Sequence, residues 1–183
     1  MKHFDELEVV NYCHPDCEPL KNIMRLPKEE AFVMARQMAN AHPETTAFYR
    51  FADFINYYAL REAQDRFLCE QFLELGGTPE EEHPLSFVIE GSDYLKEWFG
   101  VGKEVRISLN AIAEEHVSFT IGDSGALYQK NGTVELLTKT QLKNKIEAAG
   151  GVDVLLETEG KKYIEVQLWS DRYITQMCGM EPA

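Results

Sequence analysis

The chain has 183 residues, 44% of them hydrophobic and 27% charged, enough to bury one full core and too apolar for wholesale disorder. Its 18 basic and 31 acidic side chains give a net charge of -13. That excludes broad nucleic-acid binding and attachment to an anionic membrane surface, since both need Lys and Arg to meet phosphate.

Asp5, Glu6 and Glu8 interrupt the N-terminus, so no signal-peptide apolar stretch is expected, and no run approaches a membrane span. The cysteines Cys13, Cys17, Cys69 and Cys178 are read as reduced thiols of a cytoplasmic protein. LEVVNY (7–12) predicts a first strand. Pro27 suits the first position of a helix that runs through PKEEAFVMARQMANA, with Ala31, Phe32, Ala35, Met38 and Ala39 on one face, and His42-Pro43 ends it. In 45–58 an aromatic stripe of Phe48, Phe51, Ile55 and Tyr58 has helical spacing. The segment 60–75 predicts a helix with Leu60, Ala63, Phe67, Phe72 and Leu75 inward, closed by Gly76-Gly77.

Strands are predicted at 85–90, 103–109, 116–121 and 162–169, rich in β-branched and aromatic residues. Ser92 caps a short helix over 92–100, Asn131-Gly132 signals a hairpin between ALYQ and TVELL, and TKTQLKNKIEAAGG is a further capped helix. The expectation is a single α+β domain over 1–183 without a linker. Its helices fall mainly in the N-terminal half and a mostly antiparallel sheet in the C-terminal half.

The loop NYCHPDCEPL (11–20) brings Cys13, His14, Asp16 and Cys17 close together. Zinc wants four ligands, and no second close pair accompanies Cys13 and Cys17; His42, His83 and His116 stand alone in the sequence. The loop is read as one with ordinary buried thiols and no metal. GDSG (122–125) carries protease-like letters but lacks partners, and reads as a turn after a strand. Arg50 and Arg61 interrupt the aromatic cluster and are candidate anion ligands. In KYIEVQLW, alternation sets Tyr163, Glu165 and Gln167 on one face and Ile164, Val166 and Leu168 on the other. Glu165 then either faces solvent or lines a cleft with Tyr163 and Gln167.

YCHPDCEPLKNIM resembles the opening of ADP-ribosyltransferase-like domains. REAQDRFLCEQF, HPLSFV and DYLKEWFG are similar to the middle of an uncharacterised bacterial branch of that superfamily, and YIEVQLWSDRYI looks like its closing strand. The resemblance implies NAD bound as substrate in a cleft. His14 would hold the adenosine-side ribose, Tyr58 or Tyr94 would stack on nicotinamide, and Glu165 would hydrogen-bond the nicotinamide ribose. A carboxylate there would stabilise the oxocarbenium character of glycosidic cleavage. Tyr163 departs from the pattern, since transferases aimed at protein side chains carry Glu or Gln two residues before the catalytic Glu. The alternatives are a non-catalytic acidic module that binds a ligand or a protein partner, and, third, a zinc protein built on Cys13 and Cys17.

Overall fold

A computed structural model describes residues 2–175; Cys178 lies outside them. Five antiparallel strands form one sheet: β1 (Glu8–Cys13), β2 (Leu85–Ile89), β3 (Lys103–Ser108), β4 (Val117–Ile121) and β5 (Ile164–Leu168), in the order β3-β1-β2-β5-β4. The helices are α1 (Lys28–Ala41), α2 (Phe54–Glu74), α3 (Asp93–Trp98), α4 (Ser124–Asn131), α5 (Lys139–Ala149), α6 (Val152–Glu159) and α7 (Arg172–Thr175), with a 3-10 helix at Thr46–Asp53 leading into α2. None of the described helices is long and apolar enough to cross a membrane.

The α+β class and the antiparallel sheet stand as expected, but the division into a helical half and a strand half does not. The first strand sits between β3 and β2, inside the sheet, and α4, α5 and α6 fall late in the chain. The expected hairpin at Asn131-Gly132 is instead the end of α4. Gly132 takes a left-handed φ of 69° and its N–H bonds back to the Tyr128 carbonyl, which is how a glycine closes a helix. Of the TVELL strand only Leu137 pairs, in an isolated bridge to Phe119.

Period-two alternation splits the sheet into two faces. Val9, Phe87, Ile89, Ile107, Phe119, Ile164, Val166 and Leu168 share one core with Leu142 and Ile146 of α5 and Leu155 of α6. The opposite face carries Ser118 and Thr120 of β4 with Tyr163, Glu165, Gln167 and Trp169 of the β5 segment. It is not solvated: Gln167 and Trp169 are buried and α2 and α4 cover them.

The inward face of α2 differs from the expected one. Leu68 and Phe72 are buried, but Ala63 is exposed and Leu75 and Ile55 face out, while Gln64 and Asp65 are inside. Each buried polar residue has a partner distant in sequence: Gln64 meets Ser124 at 2.9 Å, and Asp65 meets His83 at 2.8 Å. A hydrogen bond offsets most of the cost of burying a polar group, so tertiary partners outrank the local apolar pattern here, although Gln64 Oε1 is left without a partner. Helix α1 packs Ala31 and Ala35 against Phe54 and Tyr58 in a separate cluster.

Candidate functional site

The second sheet face gathers most of the candidate residues around Glu165. The β4–α4 connection turns sharply, and Asp123 caps α4 by accepting the Ala126 N–H at 2.7 Å. That cap aims the first N–H of the helix, from Ser124, at Glu165 Oε2 (2.7 Å), while the Ser124 hydroxyl donates to Oε1 at 2.7 Å. Gln167 Nε2 reaches Oε1 at 3.3 Å and Thr120 at 3.1 Å, and the Ser118 hydroxyl donates to Gln167 Oε1 at 2.9 Å. Because Ser124 gives its proton to Glu165, it must accept from Gln64 Nε2, which leaves Gln64 Oε1 buried and without a partner. Gly125 belongs to this packing. A Cβ there would stand 3.1 Å from both Gln64 Oε1 and Asp123 Oδ1.

Glu165 itself is half-buried. Burial, and then the neighbouring Asp123 carboxylate, push its carboxyl above the usual range, while the Ser124 and Gln167 donors pull the other way. Tyr163 donates to Asp123 Oδ2 at 3.0 Å, and its phenol is pushed up by burial and by Asp123. Two carboxyl groups thus meet at the start of a helix, one of them disfavoured as an anion.

Aromatic rings border this polar patch. Tyr94 lies over Tyr163 with ring centres 6.4 Å apart, then contacts Trp98 at 6.0 Å, which meets Tyr49 edge-on at 5.5 Å. Tyr94 and Tyr49 are exposed, and Lys162 sits over the Tyr94 ring at 3.8 Å. Arg50 bonds the Tyr49 hydroxyl at 2.6 Å and lies 5.4 Å and 5.9 Å from the Tyr49 and Tyr57 ring centres. Asp123 acts on it electrostatically, yet among the described residues no carboxylate lies within the 4.0 Å of an ion pair.

The structure therefore brings together Tyr94, Tyr163, Glu165 and Gln167, with Arg50 at the border of the group, linked to it through Tyr49 and Trp98. It does not add the other three. Tyr58 is buried in the α1–α2 cluster with Lys28 over its ring. Arg61 does not open a helix, since α2 begins at Phe54; it is neutralised by Asp65 at 3.4 Å and held by the Tyr57 hydroxyl at 3.0 Å. His14 joins a different group, beside His42 (ring centres 4.5 Å apart) and Phe48 (5.0 Å), with Asp16 close by. Burial, and then His42, push the His14 imidazole below its usual value.

Asp123, Ser124 and Gln64 are site residues that the sequence reading passed over. The signal for two of them was present in GDSG, an Asp followed by the first residues of a helix, but it reads equally as a turn. Of the described thiols Cys13 is buried, and Cys17 and Cys69 are half-buried. Cys13, Cys17 and Cys69 are unpaired, burial pushes each of them up, and Cys13 Sγ faces the Cys17 carbonyl at 3.6 Å rather than a second sulfur. Comparison with known protein families, with curated proteins and with solved structures gives no match for this chain.

Proposed function

We propose that the protein binds a small ligand combining a flat ring with an anionic group, held on the face formed by Arg50, Tyr94, Asp123, Tyr163 and Glu165, and that NAD is the first such ligand to test. The observation that carries this is Arg50. In a chain with 31 acidic side chains, its half-buried guanidinium is held between two tyrosine rings with no carboxylate in ion-pair reach among the described residues. A phosphate would complete it in the fork geometry that Arg favours. Tyr94, exposed and next to Trp98 and Tyr163, offers a ring for stacking that the Lys162 ammonium, 3.8 Å over it, must vacate. Glu165 and Asp123 offer acceptors for ribose hydroxyls. The resemblance to ADP-ribosyltransferase-like domains points to the same ligand through Glu165, and cleavage of its glycosidic bond is the activity to look for once binding is found.

The test is calorimetric titration of NAD into the wild type and Arg50→Ala. A charge-assisted hydrogen bond is worth about 1.5–3 kcal/mol, so Arg50→Ala should weaken binding on the order of tenfold or more. ADP-ribose should bind almost as well as NAD if the phosphates carry the affinity. No heat at millimolar NAD and ADP-ribose, or equal affinity in the variant, overturns the reading.

A further inference from the structure

The loop that opens at the end of β1 holds a second group of chemistry-bearing side chains. A turn closes when the Cys17 N–H bonds to the His14 carbonyl at 2.9 Å. Inside that turn the Asp16 N–H donates to His14 Nδ1 at 3.2 Å, which fixes the ring lone pair on Nδ1 and the proton on Nε2. His42, the residue that ends α1, brings its Nε2 to 3.1 Å from Asp16 Oδ2, and His14 Nδ1 stands 4.0 Å from the same oxygen. One ligand atom from each of the three residues falls within 4.8 Å of the others. Phe48, itself buried, backs both imidazoles at 5.0 and 5.6 Å. The side chain of His14 is only 12% exposed, so this is not a chance meeting of three solvated side chains. Through His42 the group borders a hollow of about 480 Å3, lined also by Glu44, Thr45, Thr46, Glu97 and Gly100.

We propose that His14, Asp16 and His42 bind a single divalent transition-metal ion, with zinc the best match, and that the remaining coordination position opens into the hollow. Donor atoms at about 2.0–2.2 Å from zinc lie on the order of 3–4 Å from one another, so the observed spacings need only small side-chain adjustments. Two imidazoles and one carboxylate select zinc or its first-row neighbours over calcium and magnesium, which take all-oxygen sets. Three protein ligands with an open fourth position distinguish a site that accepts a ligand from a closed structural one. Glu44 and Glu97 at the rim add negative potential that draws a cation in. The metal would take over the Nδ1 lone pair now bonded to the Asp16 N–H, and the turn would adjust to release it. This inference does not rest on the Arg50 face.

From its sequence the loop reads as one with ordinary thiols, and zinc held by Cys13 and Cys17 is only the third alternative. The geometry assigns the ion instead to the two residues between them that point toward α1. The sequence could not show it, because His42 is separated from its partners by the whole of α1.

The experiment is titration of zinc, and separately of cobalt(II), into the full chain, followed by calorimetry and by visible and near-ultraviolet absorption. The proposal expects one ion per chain, with cobalt bands in the visible and no strong thiolate-to-cobalt band in the near ultraviolet. Asp16→Asn is the safest variant, since Asp16 is 62% exposed and the substitution keeps its shape. Asp16→Asn and His42→Gln should each weaken binding by at least about tenfold, whereas Cys17→Ser should leave it within about twofold. The assignment is overturned by absence of saturable binding, by unchanged affinity in both variants, or by a thiolate band that Cys17→Ser removes.

Discussion

Glu165 is the residue whose environment departs furthest from what its sequence position alone implies. A strand position facing away from the apolar core suggests a solvated carboxylate, yet α2 and α4 close over it and Asp123 stands beside it. Its folded-state pKa is raised, so between the ordinary carboxylate value and the raised one the folded chain binds more protons than the unfolded chain. Stability from this group therefore falls as pH rises through that window, and the penalty is complete above it. Glu165→Gln removes the titration while keeping an acceptor for the Ser124 N–H. Urea denaturation at steps from about pH 4 to pH 8 should show the variant gaining on the wild type as pH rises, by at most about 1.4 kcal/mol per pH unit. Parallel curves would mean that Glu165 titrates alike in the folded and unfolded chains.

Helix α4 is where the site depends on one capping residue. Asp123 caps the helix, accepts from Tyr163 and stands beside Glu165. Asp123→Ala removes all three roles and should cost about 1 kcal/mol in unfolding free energy for the lost cap, while Asp123→Ser should recover most of that because serine caps nearly as well. If the two variants are equally stable, the cap is not what holds α4 in place. This helix also shows what could be read in advance. Helix α1 and strands β1 to β5 were legible because each has a long period or a β-branched run with clear punctuation. Helix α4 was not, because SGALYQKN has little periodicity and Asn-Gly serves a hairpin and a helix end with the same positive φ. VDVLLETE, which forms α6, mixes the strand-favouring Val152, Val154 and Thr158 with helix-forming Leu and Glu, and packs Leu155 on the sheet. Of the candidate site, Tyr163, Glu165 and Gln167 followed from alternation, but Tyr94 joins them, and Arg50 borders them, through tertiary packing that no local pattern encodes.

At the scale of the whole molecule, charge does two opposing jobs. The edge strand β3 exposes Lys103, Glu104, Arg106 and Ser108, a charged border that discourages pairing with another sheet. Arg106 sits 3.4 Å from Glu8 and 3.3 Å from Glu104, and Lys2 meets Glu90 at 2.7 Å. Such exposed pairs contribute little each and weaken with salt. Against them stands a net charge of -13, whose repulsion is strongest in the folded state because the acidic groups are closest together there. Screening should relieve more repulsion than it removes attraction. The urea midpoint is therefore expected to rise when sodium chloride is raised from about 10 mM to 150 mM, as the Debye length shrinks from about 30 Å to about 8 Å. Urea carries no charge, so the measurement isolates ionic strength. A midpoint that falls would assign the greater share of the electrostatic energy to the surface pairs and show that the acidic groups are placed far enough apart to cost little.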